Sequence, residues 1–245
     1  MLKEPHSFHL DDRLSEYDKA QIAELNECLR RLSQRRAVEL TRSGAFARSK
    51  IAWKLAYYEH ALLHRIVALA DGVAATWNCR CTLSALLSAR ALMETFAVLW
   101  ELREGIRQSL ASEDLKALDM IARAGLFATR DEEIVKVQPE TKAINALTYV
   151  QKFDRIAAGF GGHYNRLSER CHPNAYGHNY MFSELDRTDA TVRFTAERDP
   201  EANRKMLLAA LTVLPRAEAF VSDIENSIAK VAELQHRIFP VREDD

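Results

Sequence analysis

Glycine and proline are scarce in this chain, with eight and six residues among 245. So few turn-formers exclude a fold of many short strands, and the prevalence of Ala, Leu, Glu and Arg points to long helices. Cysteine is scarce too. Cys28, Cys79, Cys81 and Cys171 show no framework spacing, and no signal peptide precedes them, so reduced thiols in a cytoplasmic protein are expected. Long apolar runs are also missing. The richest stretch, 91–100, is interrupted by Glu94 and falls well short of the roughly 20 residues that cross a bilayer, so no membrane span is expected. Neither sign of charge prevails. A net charge of −1 argues against a protein that coats nucleic acid non-specifically, while leaving room for a local basic face.

What is present is helical periodicity. The chain is long enough to bury a substantial core, and one helical domain spanning 1–245 is expected, with a loose N-terminal arm over 1–10. Asp11 or Asp12 can cap a first helix reaching about Thr41, with Ile22, Leu25, Leu29 and Leu32 inward and Gly44 as its stop. Its other side carries Arg30, Arg31, Arg35, Arg36 and Arg42, a solvated face or one turned toward phosphates. A second helix runs from about Ser49 to Asp71, ended by Gly72, with Leu55, Tyr58, Leu62 and Ile66 buried. A third, about Thr82 to Arg107, is apolar around most of its circumference (Leu83, Leu86, Leu87, Leu92, Phe96, Leu99, Trp100) and belongs in the middle of a bundle. Arg90 and Glu94 stand out there as an i, i+4 charge pair, which survives burial only when satisfied.

A shorter helix from Ser112 to about Ala128 precedes a charged loop over 129–140. A further helix from about Thr141 to Ala158 turns Ile144, Leu147, Val150, Phe153 and Ile156 inward. Beyond Pro173 the pattern changes: 180–185 and 191–195 carry aromatic and β-branched residues, which predicts a short hairpin or extended flap within 176–196. Asp199-Pro200-Glu201 then opens a long C-terminal helix over 200–238, kinked at Pro215. The expected fold is all-α, a bundle of about six helices.

Chemistry concentrates between Tyr164 and Asn174. Tyr164, Leu167 and Cys171 share one apolar face, and Pro173 forces His172 out of helical conformation. In an unbroken helix Arg166 and His172 would lie about 240° apart and about 9 Å along the axis. Ending the helix at His172 frees the imidazole to return toward Arg166. A second candidate is His60 with His64, one turn apart on the second helix, a spacing at which two imidazoles can share a metal.

The segments S-A-R-A-L-M-E-T (Ser88 to Thr95) and L-S-E-R-C-H-P-N (Leu167 to Asn174) resemble those of a group of bacterial all-helical proteins. The chain is also distantly similar to the HEPN superfamily, whose signature is an arginine, four to six residues, then a histidine. Arg166 and His172 fit that signature, although HEPN nucleases usually follow the arginine with a polar residue and here Leu167 follows it. The resemblance implies a metal-independent endoribonuclease of a defence or toxin system, without a cofactor and working as a homodimer on RNA. It implies His172 as general acid or base, Arg166 on the scissile phosphate, Tyr164, Arg170 and Asn174 near phosphate or base, and Glu94, paired with Arg90, orienting Arg166 or His172. Two other readings of the residues stand beside it. One is a non-catalytic helical module that binds a protein partner. The other is a metal-dependent hydrolase using His60, His64 and His172.

Overall fold

The all-α expectation holds, and α3 (Thr82–Ala111) is the helix around which the others assemble. The computed structural model describes residues 2–12 and 14–240. Ala85, Leu86, Ala89, Leu92, Met93, Phe96, Ala97 and Leu99 of α3 are all buried, because neighbours cover it on most sides. These are α2 (Lys50–Asn78), α4 (Leu115–Phe127), α6 (Ala146–Asp154), α7 (Phe160–Cys171), α9 (Pro200–Leu211) and α10 (Val213–Ile238). By length and composition α3 could cross a membrane, yet its apolar circumference is used inside this bundle. Leu87, expected inward, is instead 45% exposed on the remaining strip.

Phe96 sits at the centre. It stacks on Phe220 of α10 at 5.4 Å and meets Phe153 of α6 edge-on at 5.1 Å. Phe153 in turn meets Phe160, the first residue of α7, at 4.7 Å. Aromatic edges and faces of opposite partial charge favour such contacts, so one cluster ties the α6–α7 corner to the bundle axis.

Several boundaries differ from the sequence reading, each for a local reason. Helix α1 (Glu16–Arg35) is capped by Ser15, whose side chain accepts from the amide of Asp18, not by the earlier aspartates. It ends well before Thr41 because tertiary partners take the following carbonyls: Ala37 bonds the His64 ring and Leu40 accepts from the Trp53 indole. Helix α2 passes straight through Gly72, since the fully buried Val73 and Ala74 outweigh the roughly 1 kcal/mol that a mid-helix glycine costs. Helix α6 is shorter than expected, so Ile144 before it and Ile156 after it are exposed. The charged loop contains a short helix, α5 (Glu132–Val137).

The long C-terminal helix carries the expected bend, placed at Thr212 between α9 and α10, three residues ahead of Pro215. Proline lacks the amide that would bond the carbonyl four residues back and crowds it sterically, so the interruption falls before the ring and not at it. The hairpin is present as β1 (Ser183–Asp186) and β2 (Thr191–Phe194), antiparallel with Leu185 opposite Val192. A four-residue helix, α8 (Asn179–Phe182), leads into it.

The N-terminal arm is not loose where it is described. Phe8 is 2% exposed. The Asn26 side chain accepts from its amide and donates to its carbonyl, and Asn78 bonds the Ser7 carbonyl and the His9 amide. Two asparagines thus do for the strand-like arm what a neighbouring strand would do, a pairing that no local periodicity announces.

Candidate functional site

Helix α7 begins after Gly159, which holds a left-handed φ of +96°. It buries Tyr164 and Leu167 against α3 and stops at Cys171. His172 is extended at φ −82° and ψ 147°, as a residue before proline should be. The turn beyond is tight. Asn174 accepts from the amides of Tyr176 and Gly177, both at 3.0 Å, and donates to Glu169 at 2.8 Å. Gly177 approaches His172 so closely that a Cβ would lie 1.7 Å from the His172 carbonyl oxygen, so only glycine fits there.

Behind this turn lies a closed polar cluster between α3 and α7. The Tyr164 hydroxyl donates to Glu94 at 2.7 Å and accepts from Arg90 at 3.2 and 3.3 Å. Arg90 and Glu94 are 3.4 Å apart, and the Arg90 guanidinium lies 5.6 Å from the Tyr164 ring centroid. Burial pushes the phenol above its ordinary pKa and the bond to Glu94 adds to the effect, so the hydroxyl stays protonated and keeps donating. Cys171 is close enough to feel both Arg90 and Glu94, and burial pushes its thiol up to about 11, leaving it an unreactive packing residue.

Arg166 and His172 are the contrast to this cluster. Both are exposed, and among the described residues neither side chain forms a hydrogen bond or an ion pair. Arg170, one turn beyond Arg166, is committed to the Tyr180 carbonyl at 3.3 Å and the Met181 sulfur at 3.6 Å. The seven residues around this stretch therefore fall into three groups. Arg90, Glu94 and Tyr164 form a satisfied cluster; Arg170 and Asn174 build the turn; Arg166 and His172 are free at its surface.

Tyr164→Phe is expected to destabilise the fold by about 1 kcal/mol, because water can replace the lost hydroxyl at partners that are a quarter exposed. Denaturant midpoints of the two proteins check it, and a loss above about 3 kcal/mol would mean the pair is dry.

His60 and His64 do not converge on a cavity. The His64 ring bonds the Ala37 carbonyl at 2.9 Å, and His60 faces Glu59 at 3.5 Å. No three metal-donor side chains gather among the described residues. The arginines of α1 likewise turn to structure: Arg31 grips Glu218 with two bonds of 2.7 and 2.8 Å, and Arg35 reaches Ser222 and Glu225, pinning α1 to α10.

Beside that seam lies a buried acid that no motif marks. Glu59 is 1% exposed, with one carboxylate oxygen unpartnered. Its position at Leu55, Glu59, Leu62, Ile66 was the available signal, an acid in register with a buried stripe. Burial pushes its pKa up to about 8, with Glu225 adding to the shift and Arg35 opposing it. Burial also lowers the neighbouring His60.

Folding thus takes up a proton at Glu59 between its ordinary value and 8. The stability tied to the neutral carboxyl is complete below about pH 4.5 and is lost as pH rises through the folded value. Glu59→Gln is therefore expected to raise the melting temperature near about pH 8.5 and to flatten the decline from about pH 5. Parallel melting curves for the two proteins would remove Glu59 as the cause.

No family model matches the chain, and neither a curated protein nor a solved structure matches it.

Proposed function

We propose that this chain is a HEPN-like, metal-independent endoribonuclease of the kind used in bacterial defence or toxin systems, acting in the cytoplasm as a homodimer. The observation that supports it most is the state of His172. The ring leaves the helix at a proline-enforced break, is exposed and has no partner among the described residues, which suits a group that must exchange protons with a substrate. Arg166, equally exposed and unpaired, supplies a cation for a phosphate.

In this reading His172 takes the proton of a ribose 2′-hydroxyl, and the oxygen attacks the adjacent phosphorus. The bond to the 5′-oxygen breaks, that oxygen takes a proton from water, and a 2′,3′-cyclic phosphate and a 5′-hydroxyl result. Arg166 holds the phosphate and offsets the charge gathering on its oxygens. The Arg90–Glu94–Tyr164 cluster fixes the helix that presents both.

The closure of that cluster also favours a second reading, a non-catalytic module that binds a protein partner, since three polar groups that satisfy one another are a structural device as they stand. Incubating purified protein with a mixed RNA pool in excess chelator, followed by end-group analysis, separates the two. Cyclic phosphate ends support the nuclease. Intact RNA at high protein concentration supports the binding module.

A further inference from the structure

The turn after His172 displays two tyrosines that the proposed chemistry does not use. Tyr176 and Tyr180 are 50% and 47% exposed, yet their rings stack face to face, 5.0 Å apart at 20°. The Arg198 guanidinium lies 5.4 Å from the centre of the Tyr180 ring. Tyr180 thus contacts both Arg198 and Tyr176, and Tyr176 keeps half of its surface exposed with no further ring or cation against it among the described residues.

Its position ties it to His172. Tyr176 precedes Gly177, whose backbone packs on the His172 carbonyl, and the Tyr176 amide is held by Asn174. The Tyr180 carbonyl accepts from Arg170, which lies one helical turn from Arg166 on the same face of α7. The Asn174 turn and the Arg170–Tyr180 bond thus hold both tyrosines against the C-terminal half of α7, the half that carries Arg166 and ends at His172. Nearby acids are occupied: Glu169 accepts from Asn174, Glu197 from Thr82 and Asn203, and Asp199 caps α9. None of these acids is paired with Arg166, which leaves that guanidinium available to a phosphate.

A half-exposed aromatic ring beside arginines fits a flat, apolar-faced group carried on a polyanion. We propose, resting on the ribonuclease reading, that Tyr176 on its Tyr180–Arg198 support is a stacking platform for an unpaired nucleobase, making single-stranded RNA the substrate class. A base in a duplex has both faces covered by its neighbours and cannot use the platform. A strand with unpaired bases can, and stacking on aromatic side chains is tolerant of base identity.

The test uses a 2′-O-methyl oligonucleotide, which lacks the attacking hydroxyl and stays intact, with binding read by fluorescence anisotropy. The single strand is expected to bind wild type at least about tenfold more tightly than the same strand in a duplex. Tyr176→Leu should weaken single-strand binding about tenfold, while Tyr176→Phe, which keeps the ring, should restore it. Equal binding by the leucine variant and wild type, equal binding of duplex and single strand, or no binding of either would overturn the platform.

A parallel arm with cleavable RNA separates this from the nuclease reading. Intact RNA together with tyrosine-dependent binding of the methylated strand would end the nuclease and leave the platform standing. Cleavage that needs His172 but keeps its KM in Tyr176→Leu would do the reverse.

Discussion

His172→Ala should lower RNA cleavage in chelator by about 10²- to 10⁴-fold, the range a positioned general acid or base contributes. Arg166→Ala should lower it by about 10²- to 10³-fold through lost stabilisation of the phosphate charge. Neither substitution should shift thermal unfolding by more than about 2 °C, because surface side chains without partners change stability within about 0.5 kcal/mol. Both are exposed and unpaired among the described residues, and that separation of activity from stability is the discriminating feature. Initial rates on a labelled RNA and melting curves on the same preparations read both quantities. Full activity in His172→Ala would sink the mechanism, and a rate loss that tracks a falling melting temperature would return the turn to a purely structural role. Arg166→Lys should recover part of the rate, since a point charge still meets phosphate but without the paired donors of a guanidinium.

Phe96→Ala is expected to have the largest effect on stability, about 3–5 kcal/mol. For a chain of this size that corresponds to a fall of roughly 10 °C in melting temperature. The ring is fully buried and touches Phe153, Phe160 and Phe220 on three different helices, so its removal leaves a void that no single neighbour can fill. Urea denaturation of the variant reads the loss. A change below about 1 kcal/mol would mean that the cluster collapses onto the gap. Because Phe160 opens α7, Phe96→Ala should also weaken the turn at His172, and any cleavage activity should fall before global unfolding sets in.

Periodicity is a sound guide in the long helices and a poorer one around the short α6, where Val150 and Phe153 are buried but Ile144, Leu147 and Ile156 are exposed. Ile22, Leu25, Leu29 and Leu32 of α1 are all buried as their spacing requires, and the all-round apolarity of α3 placed it at the centre. The hairpin was legible because β-branched and aromatic residues gather on either side of a polar turn. The end of α7 was legible too, since Pro173 restricts His172 through covalent geometry alone. Glycine is the poorer guide: Gly72 predicts a stop, yet helix continues across it.

The sequence by itself therefore determined the class of fold, the helix-breaking turn and the residues gathered there, because these follow from local stereochemistry and from the alternation of apolar and polar positions. Only the tertiary structure decided which of those residues are free. Arg90, Glu94 and Tyr164 close on one another across two helices some 70 positions apart in the chain, while Arg166 and His172 are left to solvent. Hydrogen bonds of that reach depend on where helices are brought together, and no spacing within one helix encodes them. The same holds for Glu59, whose carboxyl is kept neutral by burial and by Glu225 of α10 against the opposing pull of Arg35 of α1, and for the arm at Phe8, anchored by asparagines from two different helices.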